Sequence, residues 1–230
     1  NENDINVRKI LAGVYARQNR LDEAISQYRD VLKIRPDDTA ANLALVKCHI
    51  KKKEFDKAIQ ISEEIIKTNS KEAQGYVALG LAYEGKGLWA HAAQNYQEAV
   101  KIEPDNYAIR LQLAQAYKNN NKINQAIEEY KYIIGHSNES EEALSALGDI
   151  YIKLKKYDEA AVQYHLLIKK QPRNATAYAN LASAYAGAGK WPEELEQLKK
   201  AASLSPNEPA IRYNLGAAYE RKKMQPEAVR

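Results

Sequence analysis

The side chains in this sequence that are best suited to chemistry are one cysteine and four histidines. Cys48 precedes His49, and these residue types can form a nucleophile–base pair or begin a metal site. Successive positions on a helix point about 100° apart, so the two side chains do not face each other. His91, His136 and His165 have no carboxylate or cysteine at metal-ligand spacing. We therefore expect no metal site and no catalytic residue, and we expect Cys48 and His49 to lie in the core.

A loop that holds nucleotide phosphates is not supported either. The segment GKG at 85–87 resembles part of such a motif, but no strand precedes it and the full spacing is missing. We interpret this segment as a turn between two helices. No cofactor is therefore predicted, and the chain is not expected to be an enzyme.

Composition and charge narrow the classes of partner. The 230 residues carry 34 cationic and 30 anionic side chains, a balance that does not favour a nucleic acid. No apolar run approaches the roughly 20 residues that a membrane-spanning helix needs, and the first residues do not resemble a signal peptide. One cysteine excludes an internal disulfide without fixing the compartment, so the cytoplasm is the default and a bacterial periplasm is equally compatible. Because the sequence begins without methionine and stops in mid-pattern, we expect it to be a fragment of a longer chain.

The elements that position these residues follow from an internal repeat. The segment LGLAYEGKG at 79–87 has counterparts that start at 11, 45, 113, 147, 181 and 215. With position 79 included, successive starts are 34 residues apart. With the prolines in register, the repeat units are 5–38, 39–72, 73–106, 107–140, 141–174, 175–208 and, in part, 209–230. A period of this length indicates a stack of small units, because one such unit cannot bury its own apolar face.

Within each unit the spacing of apolar residues is helical. Leucine in position 7 is followed four residues later by tyrosine, or by His49 in the second unit, and residues at i and i+4 share one helix face. A mostly small residue in position 8 lets a second helix approach closely. That second helix carries alanine in position 20 and often tyrosine in position 24. Each unit is therefore predicted to be a pair of helices.

Residues that end and begin helices also occupy fixed positions. Four residues are expected in the left-handed conformation where the first helix of a unit ends, namely Asn19, Gly87, Asn121 and Gly189. Four others are expected to be the N-caps of second helices, namely Asp22, Asp56, Asn124 and Asp158. Pro192 and Pro226 replace them in the last two units, which fits the preference of proline for the first turn of a helix.

Together these residues resemble the tetratricopeptide repeat. Unit 73–106 matches all eight positions of the family pattern with Tyr76, Leu79, Gly80, Tyr83, Ala92, Tyr96, Ala99 and Pro104. The resemblance implies an all-α fold, an α-solenoid of antiparallel helix pairs in a right-handed superhelix, with residues 1–230 forming a single domain. The pattern is broken by Asn42, Ser62, Ser70, Asn138 and Glu194. Glu194 replaces an alanine, which puts the close packing of the sixth helix pair in question.

The resemblance also implies a partner-binding groove lined by the first helix of each unit. Its candidate residues are Leu43, Lys47, Ile50, Lys51, Val77, Leu81, Leu111, Gln115, Lys118 and Asn119. The repeat pattern does not require aliphatic residues at several of these positions, so they suit a partner segment with apolar anchors, and the lysines suit acidic residues in it. Alternatively, these aliphatic side chains only support neighbouring helices. Lys9 matches one residue of the carboxylate clamp of chaperone-binding relatives, but the other clamp positions do not match, so no co-chaperone role is expected.

These observations favour a non-catalytic scaffold that binds a peptide or helical segment of a partner protein in the groove. One alternative is a substrate-recruiting or targeting arm of a larger enzyme, because Asn180 and Asn214 resemble the asparagine ladder of glycosyltransferase-linked members. Another is a self-assembling module that associates end to end, because no polar capping helix is visible in the sequence.

Overall fold

The computed structural model describes residues 2–224, with side chains for 4–222, and within that range it contains thirteen α-helices and no strand. The helices are α1 (Glu2–Arg17), α2 (Leu21–Ile34), α3 (Thr39–Lys51), α4 (Phe55–Thr68), α5 (Ala73–Gly85), α6 (Trp89–Ile102), α7 (Tyr107–Asn119), α8 (Ile123–His136), α9 (Glu141–Lys153), α10 (Tyr157–Lys170), α11 (Ala175–Gly187), α12 (Trp191–Leu204) and α13 (Pro209–Met224). They follow the repeat, with two helices in each of the first six units and α13 opening the seventh. The prediction of an all-α solenoid of helix pairs is confirmed. Pro226 and the rest of the predicted second helix of unit seven lie outside the described residues.

The contacts between helices divide the chain into two compact units, Asn1–Glu129 and Tyr130–Arg230, with the boundary inside α8. In the first unit each of α1 to α6 packs against the next helix, and α3 also packs against α5. In the second unit α9 to α13 pack in the same order, and α9 also packs against α11. Each helix therefore depends on its near neighbours in sequence. A single domain over 1–230 stays a prediction.

The turn inside each helix pair has a fixed backbone conformation. The four predicted left-handed residues are confirmed, since Asn19 has φ 60°, Gly87 73°, Asn121 59° and Gly189 72°. Lys53 and Lys155 occupy the same position with φ 60° and 58°, although lysine has no intrinsic preference for this region. The packing of the two helices thus imposes the turn even where the local sequence does not favour it.

The predicted N-caps of α2, α4 and α10 are wrong by two residues, and the one predicted for α8 lies inside that helix. The helices α2, α4, α8 and α10 already begin at positions before Asp22, Asp56, Asn124 and Asp158, which therefore lie inside the first turn. The residues that precede α2, α4 and α10 are Arg20, Glu54 and Lys156, and none of them makes a side-chain cap. A carboxylate inside the first turn still interacts favourably with the helix dipole, which explains why acidic residues recur there. Pro192 lies in the first turn of α12, as predicted.

Side-chain caps occur instead on the first helices. Asp38, Asn106 and Asn174, in position 34 of their units, accept hydrogen bonds from backbone N–H groups three residues later, at 2.9, 3.3 and 3.0 Å. Each cap follows a loop that contains proline, so it satisfies backbone donors at the point where the chain turns back into a helix. Sequence analysis did not assign these caps, although an Asp or Asn directly before a helical pattern is a usual cap signal.

In the third and fifth pairs, the two helices meet where a tyrosine ring of the second helix lies on a glycine of the first. A Cβ atom added to Gly80 would lie 2.6 Å from the ring of Tyr96, and one added to Gly148 would lie 2.7 Å from the ring of Tyr164. Both tyrosines are fully buried. A Cβ on Gly80 or Gly148 would therefore displace a ring that the core holds in place.

Asp38 links the first helix pair to the second. The side chain of Lys9 on α1 donates to both Asp38 oxygens, at 3.0 and 2.9 Å, and Asp38 also caps α3. Burial alone would raise the pKa of Asp38, but the hydrogen bonds from Lys9 and the Ala41 N–H outweigh it and hold the pKa below its ordinary value. Lys9 is thus occupied within the protein, which agrees with the expectation that it is not part of a carboxylate clamp.

We predict that Gly80→Ala lowers the free energy of unfolding by about 1–3 kcal/mol, because the added methyl group meets the buried ring of Tyr96. Gly216→Ala is the matched control: it is helical, no described residue lies within 4 Å of the added methyl group, and it should be neutral or stabilising by up to ~1 kcal/mol. Chemical denaturation followed by circular dichroism measures both. Equal effects of the two substitutions would show that the ring contact is not the cause.

We further predict that Asp38→Asn makes stability less dependent on pH. The folded-state pKa of Asp38 is below that of the unfolded chain, so its contribution is present above about pH 4 and is lost as the pH falls through the folded-state value. Asparagine keeps the cap and loses the ion pair, whereas Asp38→Ala also loses the cap, at a further cost of about 1 kcal/mol. Denaturation midpoints between neutral and acidic pH test this, with the exposed Asp37→Asn as control. Parallel pH profiles for Asp38→Asn and the natural chain would contradict the assignment.

Candidate functional site

The ten candidate groove residues lie on three first helices of the unit Asn1–Glu129. Helix α3 carries four of them, α5 two and α7 four. Helices α3 and α5 pack against each other, and α6 packs against both α5 and α7. We call the ten residues the α3–α5–α7 surface: Leu43, Lys47, Ile50, Lys51, Val77, Leu81, Leu111, Gln115, Lys118 and Asn119.

The aliphatic members of the α3–α5–α7 surface are all half-buried. Leu43 and Ile50 pack against a core cluster of α3, α4 and α5 that includes Val46 and Ala82. These two side chains therefore support the helix pair, as the alternative interpretation of the aliphatic residues requires. Their remaining exposed parts still face solvent beside the lysines of the same helix.

The cationic members of the surface make no ion pair within the described part of the chain. Lys47 and Lys51 are exposed and Lys118 is half-buried, and none of the three makes an ion pair with any residue that the structure describes. Lysines in the turns behave differently, since Lys52, Lys86 and Lys190 each pair with an aspartate of the preceding helix pair. These three lysines are therefore not held by a carboxylate of the described residues and can attract acidic groups of a partner.

Cys48 and His49 are buried in the core, as expected. Burial raises the pKa of the Cys48 thiol, which keeps it protonated and makes it a poor nucleophile. The Nδ1 atom of His49 lies 2.6 Å from Oε2 of Glu54, the residue that directly precedes α4. The ring is therefore hydrogen-bonded to the turn between α3 and α4. Over residues 2–224 there is no group of three or more His, Cys, Asp or Glu side chains that could hold a metal ion.

A depression lies in the unit Tyr130–Arg230, at positions of the first helices of units six and seven that correspond to the predicted groove. Helices α11, α12 and α13 line an open depression of about 360 Å³, and the buried Glu194 is among its lining residues. The sequence signal for it was the departure from the repeat at Glu194. Helices α11 and α12 nevertheless pack against each other, so the buried carboxylate does not open the sixth pair.

In the part of the chain that the structure describes, no helix has both the length and the apolar character to cross a membrane.

Two family models match the chain, and both are described as tetratricopeptide repeat. One matches residues 8–79 and 85–131, and the other matches residues 111–166 and 145–209. No curated protein matches the chain in sequence.

Several solved structures have a similar fold. The C-terminal part of a tetratricopeptide-repeat protein from Cytophaga hutchinsonii has a TM-score of 0.77 at 19% identity, over 92% of this chain and 84% of that chain. PilF from Pseudomonas aeruginosa has a TM-score of 0.71 at 16% identity, over 96% of this chain and 98% of that chain. YrrB, described as a protein of this repeat class with an unusual peptide-binding site, has a TM-score of 0.67 at 18% identity, over 86% of this chain and 98% of that chain. At these identities the likeness concerns the fold alone.

Proposed function

The chain belongs to the tetratricopeptide repeat family, and we propose that it is a non-catalytic scaffold that binds a peptide or helical segment of a partner protein on the α3–α5–α7 surface. The observation that carries this proposal is the combination of half-buried aliphatic side chains with three lysines that form no ion pair with any described residue. An amphipathic segment with apolar anchors and acidic residues complements both features. Proteins of this family are generally interaction scaffolds without catalysis, which agrees with the protonated Cys48 thiol.

Peptide binding is compatible with this fold, since YrrB is described as having an unusual peptide-binding site. The argument for the surface in this chain rests on its own side chains, because 18% identity does not carry a site from one protein to the other. Val77, Leu81 and Leu111 supply apolar area, while the exposed Asn119 supplies an amide group that can bind the backbone of an extended peptide. Affinity then depends on the aliphatic anchors, and specificity on the acidic residues that meet the lysines.

A second candidate function is self-association through α1, the first helix of the solenoid. Three apolar side chains of α1 are exposed, with Val7 at 62%, Ile10 at 68% and Leu11 at 38%. Leucine in the same repeat position is buried in units two to six, at between 0% and 7% exposure in Leu45, Leu79, Leu113, Leu147 and Leu181. The α1 face therefore has the character of a stacking surface, which another copy of the chain can cover.

We predict that the double substitution Leu81→Glu, Leu111→Glu lowers peptide affinity at least tenfold, because it places charge where apolar anchors bind. The measurement begins with peptides selected from a random display library on the natural chain, whose sequences should combine aliphatic residues with Asp or Glu. Each selected peptide is then titrated against the natural and variant chains, and circular dichroism verifies that the variant keeps its helices.

The matched control is Val162→Glu, Leu166→Glu, which makes the same change at two exposed positions on α10. It should leave affinity unchanged. Selected peptides without acidic residues, or equal affinities for both double variants, would contradict the assignment of the α3–α5–α7 surface.

For the second candidate, we predict that the natural chain associates as its concentration rises and that Val7→Glu, Ile10→Glu remains monomeric, because charge on the α1 face prevents stacking. Sedimentation velocity over a wide concentration range measures this. A natural chain that is monomeric throughout would exclude self-association through α1.

A further inference from the structure

The exposed face of α10, in the unit Tyr130–Arg230, differs from that of the other second helices. Val162 and Leu166, in positions 22 and 26 of the fifth unit, are 54% and 42% exposed. In the other five complete units the same two positions hold Ser26 and Asp30, Gln60 and Glu64, Gln94 and Glu98, Glu128 and Tyr132, and Glu196 and Lys200. Among these six helices, only α10 therefore has aliphatic residues at both positions.

The core of the unit does not use these two side chains. Residues at i and i+4 share one helix face, so Val162 and Leu166 lie side by side. The residues of α10 that pack in the core are on the opposite face, namely Ala160, Ala161, Tyr164 and Leu167. The aliphatic pair would lose its contact with water only against another molecule.

Charged residues flank the aliphatic pair along α10 in a fixed order. Asp158 and Glu159 lie one turn before it, and Lys169 and Lys170 lie one turn after it, and all four are exposed. Glu159 and Lys169 make no ion pair with any residue that the structure describes. An acidic start and a basic end also occur in α2 and α4, because they suit the helix dipole. The distinction of α10 is thus the combination of these charges with the two aliphatic side chains.

This order of residues is complementary to itself when two copies of α10 lie antiparallel. A two-fold axis beside Tyr164, in the middle of the helix, places Val162 of one copy opposite Leu166 of the other. The same axis brings the acidic residues 158 and 159 of each copy against the basic residues 169 and 170 of the other. A parallel arrangement would instead set like charges against each other.

We propose that two copies of this chain pair through the exposed face of α10, antiparallel and about a two-fold axis. The aliphatic side chains form the centre of the contact, and the charged residues at its two ends fix the direction and the register. The face lies in a different compact unit from the α3–α5–α7 surface and from α1, so pairing through α10 depends on neither of them.

The size of the contact determines its strength. A contact along one 14-residue helix, with two aliphatic side chains from each copy, stays below the roughly 1,200 Å² that a stable interface buries. We therefore expect pairing at millimolar concentration, above the range of sedimentation velocity. Such a contact acts where two copies are already held close together, because their effective concentration then reaches that level.

The test is a concentration series of the full chain, labelled with ¹⁵N, from micromolar to millimolar. The parent chain carries Val7→Glu and Ile10→Glu, as do all its variants, so that association through α1 does not contribute. We expect the amide signals of α10 to shift and the rotational correlation time to rise with concentration. The added double substitution Val162→Glu, Leu166→Glu should weaken pairing at least tenfold, because it places like charges at the centre of the contact.

Charge reversal tests the antiparallel direction. Asp158→Lys, Glu159→Lys makes both ends of the face basic, and Lys169→Glu, Lys170→Glu makes both ends acidic. Each variant alone should pair at least tenfold more weakly than the parent chain. An equimolar mixture of the two should pair as strongly as the parent, because basic ends then meet acidic ends. The matched control is Lys67→Glu, at the position of α4 that corresponds to Lys169, and it should leave pairing unchanged.

Circular dichroism verifies that the charge variants keep their helices, since Asp158 also pairs with Lys190 and Lys170 with Glu141 within the chain. The Val162→Glu, Leu166→Glu variant changes only exposed positions and tests the proposal even where a charge variant does not fold. No concentration dependence up to millimolar, shifts confined to other helices, unchanged pairing of the Val162→Glu, Leu166→Glu variant, strong pairing of either charge variant with itself, or no recovery in the mixture would each overturn the proposal.

Discussion

The structure depends on close contact between a large side chain on one helix and a small residue of another helix, which is glycine or alanine in every unit but the second. The ring of Tyr96 lies on Gly80 within a pair, and the ring of Phe55 lies on Gly85 of the next pair. Both contacts let helix axes approach closely, and neither can form inside a single helix. Because a pair of 13- or 14-residue helices has too little apolar area to be stable alone, each pair must repeat the same contacts with its neighbours. The sequence repeats because every pair has to make these contacts.

Most of the fold could be predicted because its determinants are spaced along the chain. The leucine and tyrosine of each first helix fixed the helix faces, and Asn19 or Gly87 marked the turns. The helix starts were predicted less well. Asp22 and its counterparts looked like caps because Asp is a common N-cap, but the packing of the pair begins the helix earlier, and the carboxylate interacts with the first turn instead. Lys53 and Lys155 were not predicted as left-handed residues, because lysine has no preference for that conformation and only their shared repeat position indicated it.

The candidate sites were predictable to different degrees, for physical reasons. The α3–α5–α7 surface follows from repeat positions, so its residues can be assigned from the amino-acid sequence alone, and they remain a prediction of function. The half-burial of Leu43 and Ile50 could not be predicted, because it depends on how α5 lies against α3. The buried carboxylate at the depression was indicated in the sequence only by Glu194, which replaces the alanine expected in position 20 of the repeat. The structure adds that Arg221 donates to Oε1 of Glu194 and that Oε2 has no hydrogen-bond donor among the described residues.

Helix contacts that are restricted to near neighbours also determine how such a chain changes over evolutionary time. A helix pair that meets only the pair before and the pair after it can be duplicated, lost or exchanged without rebuilding a shared core. A damaging substitution weakens its own pair and the adjacent interfaces, while distant pairs keep their packing. A departure such as Glu194, which a globular core would reject, can therefore persist in one pair and be refined there independently of the others.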